Sequence, residues 1–186
     1  MYINQDGQHA LRAAAQRAVE VVTRALGSEH HGKGIYLRSF HFSDPQQGYM
    51  GLTDQLACWV GGGANTDKAA KYRIVAAEKA IRLATNAKTL GHLSSWESRD
   101  PTDQAFRDKF GGATMVMCSV AALSPEPTPM LTSASGLPEM GDEAFTILVP
   151  MFAGWKPRTI DVLNILLKSK NDFATRLFQE HIALAA

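Results

Sequence analysis

The sequence predicts a single α+β domain in which helices flank an antiparallel sheet. Three observations predict it. Strand-like runs come in adjacent pairs, at residues 35–42 with 52–60 and at 112–123 with 130–135, and pairs joined by turns build antiparallel ladders. Runs with apolar residues three and four apart stand before, between and after those pairs, as helices flanking a sheet require. The 186 residues, 45% hydrophobic and 20% charged, match one globular domain of ~100–200 residues. A disordered chain would be poorer in apolar residues.

The first helix is expected over residues 8–26, where Leu11, Ala14, Ala15, Ala18, Val22 and Leu26 form a stripe. Arg12, Gln16, Arg17, Glu20 and Arg24 cover its other face, and Gly27 ends it. Residues 35–42 are rich in the β-branched and aromatic side chains that suit a pleated surface. Ser43-Asp44-Pro45-Gln46-Gln47-Gly48 reads as a turn. Residues 52–60 then form the partner strand of a hairpin, although Asp54 and Gln55 interrupt the apolar pattern.

Gly61-Gly62-Gly63 breaks the chain, and Thr66 or Asp67 stands where a helix cap belongs. The following helix is expected over residues 68–86, with Tyr72, Val75, Ala76, Lys79 and Leu83 on one face and Ile74 and Ile81 widening it. A polar stretch, 86–109, leads into a short helix at 102–110. The second strand pair, 112–123 and 130–135, is separated by a proline-spaced loop. A helix from Glu139 or Asp142 to about Met151 carries Asp142 and Glu143 in its first turns, where the dipole favours negative charge. A last helix is expected over residues 158–184.

Nineteen basic and eighteen acidic side chains leave a charge of +1, without the basic stripe of a nucleic-acid binder. No run reaches the ~18 apolar residues of a membrane span, and the first residues lack the pattern of a secretory signal. A cytoplasmic protein with no nucleic-acid or membrane partner is expected. Cys58 and Cys118 have neither CxxC nor zinc-ligand spacing and are expected as buried, reduced thiols. No metal site is expected.

Several residues are candidates for chemistry. Gly61-Gly62-Gly63 followed by Lys68 lacks the Gly-Lys-Ser/Thr of a phosphate-cradling loop and reads as a flexible turn. His30 and His31 are adjacent in a loop and point apart, and His9 and His181 fall on terminal helix surfaces. His92 stands close to Ser94 and Ser95, a set suited to proton transfer or ligand contact. The same set also suits a loop that satisfies its own backbone. Gly111-Gly112 permits close approach of a ligand or another chain. Ser135-Gly136 leads into a helix start, whose free N–H groups favour anions, while Asp142 and Glu143 count against a strongly anionic ligand there. Met115 and Met117 read as packing residues. The candidate ligand-binding set is His92, Ser94, Ser95, Gly111, Gly112, Ser135 and Gly136; no catalytic residue is assigned.

Taken together, Phe110-Gly111-Gly112-Ala113, the run from Met130 through Ser135-Gly136-Leu137-Pro138-Glu139, and Asp142-Glu143-Ala144 follow a lysine- and alanine-rich helix and Gly91-His92-Leu93-Ser94-Ser95. In this order they resemble the haem-degrading-domain-like family of the GlcG and HbpS type, over about residues 10–152. The resemblance implies an α/β/α, profilin-like layering, a homo-oligomer, and haem or another small anionic molecule as ligand. The connection 86–109, the loop 124–129 and the C-terminal helix are departures from that family's pattern. The resulting expectation is a homo-oligomeric small-ligand-binding protein. Two alternatives stay open: an enzyme for a small metabolite, with His92, Ser94 or Ser95 moving protons near Ser135-Gly136, and a non-catalytic oligomeric scaffold.

Overall fold

The computed structural model describes residues 2–98, 111–120 and 123–182. Along these the chain forms α1 (Gln5–Leu26), β1 (Gly34–Phe42), β2 (Leu52–Gly61), α2 (Thr66–Leu90), β3 (Ala113–Cys118), β4 (Thr128–Ser135), α3 (Glu139–Phe152), α4 (Thr159–Ser169) and α5 (Asp172–Ile182). The strands make one antiparallel sheet in the order β2-β1-β4-β3, so the α+β class and the flanking helices are as the sequence predicts. The short helix expected at 102–110 lies outside the described residues, as do residues 121–122 and everything beyond 182.

Strand alternation sorts the core into two layers. Ile35, Leu37, Val116, Cys118, Met130 and Ala134 face one side, where they pack with α1 and α3. Phe40, Phe42, Ala113 and Leu131 face the other, against Ala80, Leu83 and Ala84 of α2. The sheet is therefore sandwiched between helices on both faces. Helix α3 is buried from Gly141 to Pro150 because it also packs on α1 and α5. A helix enclosed in this way is apolar on nearly every side, and burying a side chain such as Phe145 or Ile147 contributes roughly 1.5–3 kcal/mol.

The residues that interrupt the pattern of β2 mark a bulge. Ser39 pairs with Leu56 but Phe40 pairs with Asp54, leaving Gln55 as the extra residue. Gln55 turns inward, accepts a 2.7 Å bond from the Ile3 amide and donates to the Thr53 carbonyl. The N-terminal segment is thereby tied to the hairpin.

Three expectations are corrected. Asn65, rather than Thr66 or Asp67, caps α2 by accepting from the Lys68 amide. Ile74 and Ile81 do not widen the buried stripe; they are 65% and 45% exposed, because the small residues Ala76, Ala80 and Ala84 seat α2 on the sheet and place residues 74 and 81 on its far side. The last helix is two. Lys170 takes a left-handed conformation, φ 53°, and its amide closes α4 on the Leu166 carbonyl. Asn171 then restarts the helix by accepting from the Ala174 amide.

Both cysteines are free thiols, Cys118 buried and Cys58 half-buried, and burial pushes both pKa values up, which keeps them unreactive. No described helix is long and apolar enough to cross a membrane.

Candidate ligand-binding site

The loop after α2 is held against β3 by an isolated antiparallel bridge, Ser94 opposite Thr114. Gly91 takes the left-handed position that ends the helix. Leu93 accepts from Met115, Ser95 donates its amide to Ala113, and the Ser95 hydroxyl accepts from the Ala113 amide at 3.0 Å. Arg82 donates to the Ser95 carbonyl. Glu97 gathers the amides of Leu93 and Ser94 and pairs with Lys168 at 2.7 Å. With its backbone so fixed, the loop directs the Ser94 hydroxyl inward, where it donates to Glu143 Oε1 at 2.8 Å.

The start of α3 brings three carboxylates to this place. Glu139 accepts from the Gly111 amide. Asp142 is buried against Lys79, whose ammonium lies 2.8 Å from Asp142 Oδ2 and 3.0 Å from the Ala134 carbonyl. The other Asp142 oxygen accepts from the Leu137 amide. Burial pushes the Asp142 carboxyl up to about 6, with the Lys79 charge acting against that shift. Gly112 makes room for the pair: at φ +110°, an added Cβ would stand 2.6 Å from Asp142 Cβ and 2.9 Å from Lys79 Nζ. The close approach expected at Gly112 is thus made by the chain's own ion pair, not by a ligand or another chain.

Glu143 has no such cation among the described residues. It is 1% exposed, and its partners are neutral: the Ser94 hydroxyl on one oxygen and Asn171 Nδ2, at 2.9 Å, on the other. Asn171 is oriented by its second task, since its Oδ1 caps α5 and its Nδ2 also reaches the Met140 carbonyl. Beside Glu143 lies a cavity of about 320 Å³ walled by Trp96, Phe173 and Ser169. The Ser169 hydroxyl is buried and has no hydrogen-bond partner among the described residues.

Of the predicted set, Ser94 reaches Glu143 on the cavity wall, while Ser95, Gly111 and Gly112 support the site from behind through backbone bonds and close packing. His92 is half-buried outside the cavity, and its Nδ1 lies 3.0 Å from the Ser98 hydroxyl. Burial lowers its pKa, against a smaller opposing effect of Glu97. The geometry of His92 is that of a loop residue bonded within its own loop. Ser135 is buried in β4 opposite Tyr36, and Gly136 borders a separate cleft, so neither joins the others. The reading of residues missed Asn171, Ser169 and Phe173, which come together only because the last helix breaks at Lys170. Asn171-Asp172, a capping residue followed by an acid, is the signal that marks that break.

Chemically, the site is an acceptor. The Ser94 hydroxyl donates to the Glu143 carboxylate and its oxygen accepts from the Trp96 amide, and no imidazole bonds to Ser94 among the described residues. Among the haem-iron ligand types the described wall offers no histidine, cysteine or tyrosine, only Met140, and it carries the carboxylates Glu139, Glu143 and Asp172. No family model, curated protein or solved structure matches the chain.

Proposed function

We propose that this chain is a homo-oligomeric binding protein whose cavity between α3 and the α4–α5 junction takes a compact organic cation, such as a primary ammonium compound. One observation carries the reading: Glu143 is a buried carboxylate on the wall of a cavity, with no cationic partner among the described residues. Taking a carboxylate out of water costs several kcal/mol unless a counter-charge or donors offset it, and here two neutral donors supply only part of that. The other two buried acids among the described residues each have a cation, Asp142 in Lys79 and Asp161 in Arg158. Glu143 lies beyond the first turn of α3, where the helix dipole has faded.

The surroundings agree with a cation. Trp96 and Phe173 offer aromatic faces, and the unpartnered Ser169 hydroxyl can accept from a bound ammonium. At about 320 Å³ the cavity sits at the small end of ligand pockets, ~300–1,000 Å³, which suits a small metabolite. Lys170 also lines the cavity; it is exposed and makes no ion pair with Glu143 among the described contacts.

Assembly is proposed through the outer face of α4 and α5, with a second copy of the chain as the occupant. Ile160, Leu163 and Leu167 are 54%, 47% and 77% exposed and share one side of α4. The groove beside them carries one cation, Lys170, and one acid, Asp172, so a two-fold copy would pair each with the other. Native mass spectrometry of the untagged chain tests both halves. A multimer carrying a small basic adduct per subunit supports the reading, and a bare monomer contradicts it.

A further inference from the structure

A second site lies at the open end of the β1–β2 hairpin and shares no lining residue with the Glu143 cavity. Three glycine-containing turns from separate parts of the chain converge there: His31-Gly32-Lys33-Gly34 before β1, Gly62-Gly63 after β2, and Gly136 after β4. Their closeness is built in. A Cβ on Gly34 would meet the Gly62 carbonyl at 2.5 Å, one on Gly62 would meet the Gly32 carbonyl at 2.4 Å, and one on Gly136 would meet the Gly34 carbonyl at 2.8 Å. These contacts account for the glycines as packing, and packing alone says nothing about a ligand.

The side chains gathered around the turns say more. The turns enclose a cleft of about 320 Å³, and its charged lining residues are Lys33, Lys68 and, when protonated, His31; no acid lines it. Lys68 has no ion-pair partner among the described residues, and Lys33 contacts only the His30 ring, 3.1 Å from its Nδ1. Two like charges left facing one opening repel each other, and an anion between them relieves that repulsion. The floor is aromatic. Trp59 and Tyr72 stand with ring centroids 6.2 Å apart, tilted by 32°, and both border the cleft. Gly32 and Gly63 have φ +70° and +67°, with open space at Gly32 where a side chain would be, so backbone is bare at the mouth. Such bare, left-handed backbone is where N–H groups turn toward anions.

We infer that this cleft binds a small organic phosphate with a flat ring, the phosphate between Lys33 and Lys68 and the ring against Trp59 and Tyr72. Lysine serves phosphate as a point charge, and aromatic faces hold flat rings without demanding a particular one. Sequence alone shows a glycine run followed by Lys68. The fold adds Lys33 and Gly136, from positions far apart in the chain, and so changes the reading of Gly61-Gly62-Gly63 from a plain turn to one wall of a site.

The test is an NMR titration of the full chain with adenosine monophosphate, with inorganic phosphate and uncharged adenosine in parallel. The expected result is movement of the Gly32, Gly63 and Lys68 amides and the Trp59 indole with adenosine monophosphate, weaker movement with phosphate, and little with adenosine. Lys33→Gln/Lys68→Gln changes two exposed side chains and so leaves the fold intact; it should weaken the nucleotide by about tenfold or more. Added salt should weaken it too. Unmoved resonances with both phosphate probes would overturn the inference, as would adenosine binding as well as its monophosphate or a double variant that binds normally. The Asn171 side-chain resonance reports on the Glu143 cavity, so failure at one site is distinguishable from failure at the other.

Discussion

Asp142 and Glu143 are adjacent in sequence and both buried, yet among the described residues an ammonium group faces Asp142 alone of the two. Successive residues of a helix point about 100° apart. Asp142 therefore turns toward the sheet end and Lys79, which crosses from the opposite helical layer, while Glu143 turns toward Ser94, Asn171 and the cavity. One acid joins the two layers of the fold; the other meets only neutral donors among the described residues.

That contrast predicts a specific pH dependence. Asp142 keeps its proton up to about pH 6 in the folded chain, whereas an unfolded aspartate loses it near ~4. The folded state therefore binds more protons between those values. The stability that Asp142 contributes is fully present below the unfolded value and is lost as pH rises through about 6. Urea midpoints of the wild type minus those of Asp142→Asn should fall from pH 4 to 6 and level off above. A difference that grows over that range would contradict the burial-dominated shift.

Gly112→Ala should destabilise the fold by at least ~2 kcal/mol, since a side chain at φ +110° is strained and its Cβ would press on the Asp142 and Lys79 pair. Gly32→Ala, at φ +70° within the left-handed well and with open space around it, should cost less, about 1 kcal/mol. Thermal unfolding of the two variants separates crowding from backbone strain. Equal losses would show that Gly112 is needed only for its backbone angle.

Asn171→Ala removes both the cap of α5 and one donor to Glu143, and should cost ~1 kcal/mol or more. Asn171→Asp keeps a capping oxygen but faces Glu143 with a second carboxylate. It should be the less stable of the two at pH 7, and should recover when a cation such as propylammonium is added. A capping role alone would make Asn171→Asp the milder change.

The proposed oligomer is best tested on its surface. Deleting α4 and α5 would strip Val162, Ile165, Leu177 and Phe178 from the main core, so loss of assembly after truncation would say little. Leu163→Lys/Leu167→Glu alters side chains that are 47% and 77% exposed and should yield a folded monomer by light scattering. An unchanged mass would move the interface elsewhere.

Much of this architecture is legible in sequence because it rests on local pattern. The stripe Leu11, Ala15, Ala18, Val22 can hardly be other than a buried helix face, and the paired apolar runs bounded by turns lead directly to the antiparallel order. What is not legible depends on distance. Ile74 and Ile81 look buried until the alanines beside them prove to be the packing face. Ser94 was identifiable as a polar candidate, but its partner Glu143, 49 positions away, could be read only as an acid suited to a helix start. His92, chemically the most conspicuous loop residue, bonds within its loop because its neighbours are committed to β3.

The most direct test of the central claim compares n-propylammonium with neutral n-propanol, nearly the same shape, in wild type and Glu143→Gln. Ligand-free Glu143→Gln should be at least as stable as wild type, since it removes an unpaired buried charge while keeping the side chain's size. In wild type, the account predicts that propylammonium shifts the Trp96 indole and Asn171 side-chain NMR resonances and that propanol does not. Glu143→Gln should weaken propylammonium at least about thirtyfold, ~2 kcal/mol. Equal responses to the two probes, or full binding by a folded Glu143→Gln, would contradict a cation site at Glu143.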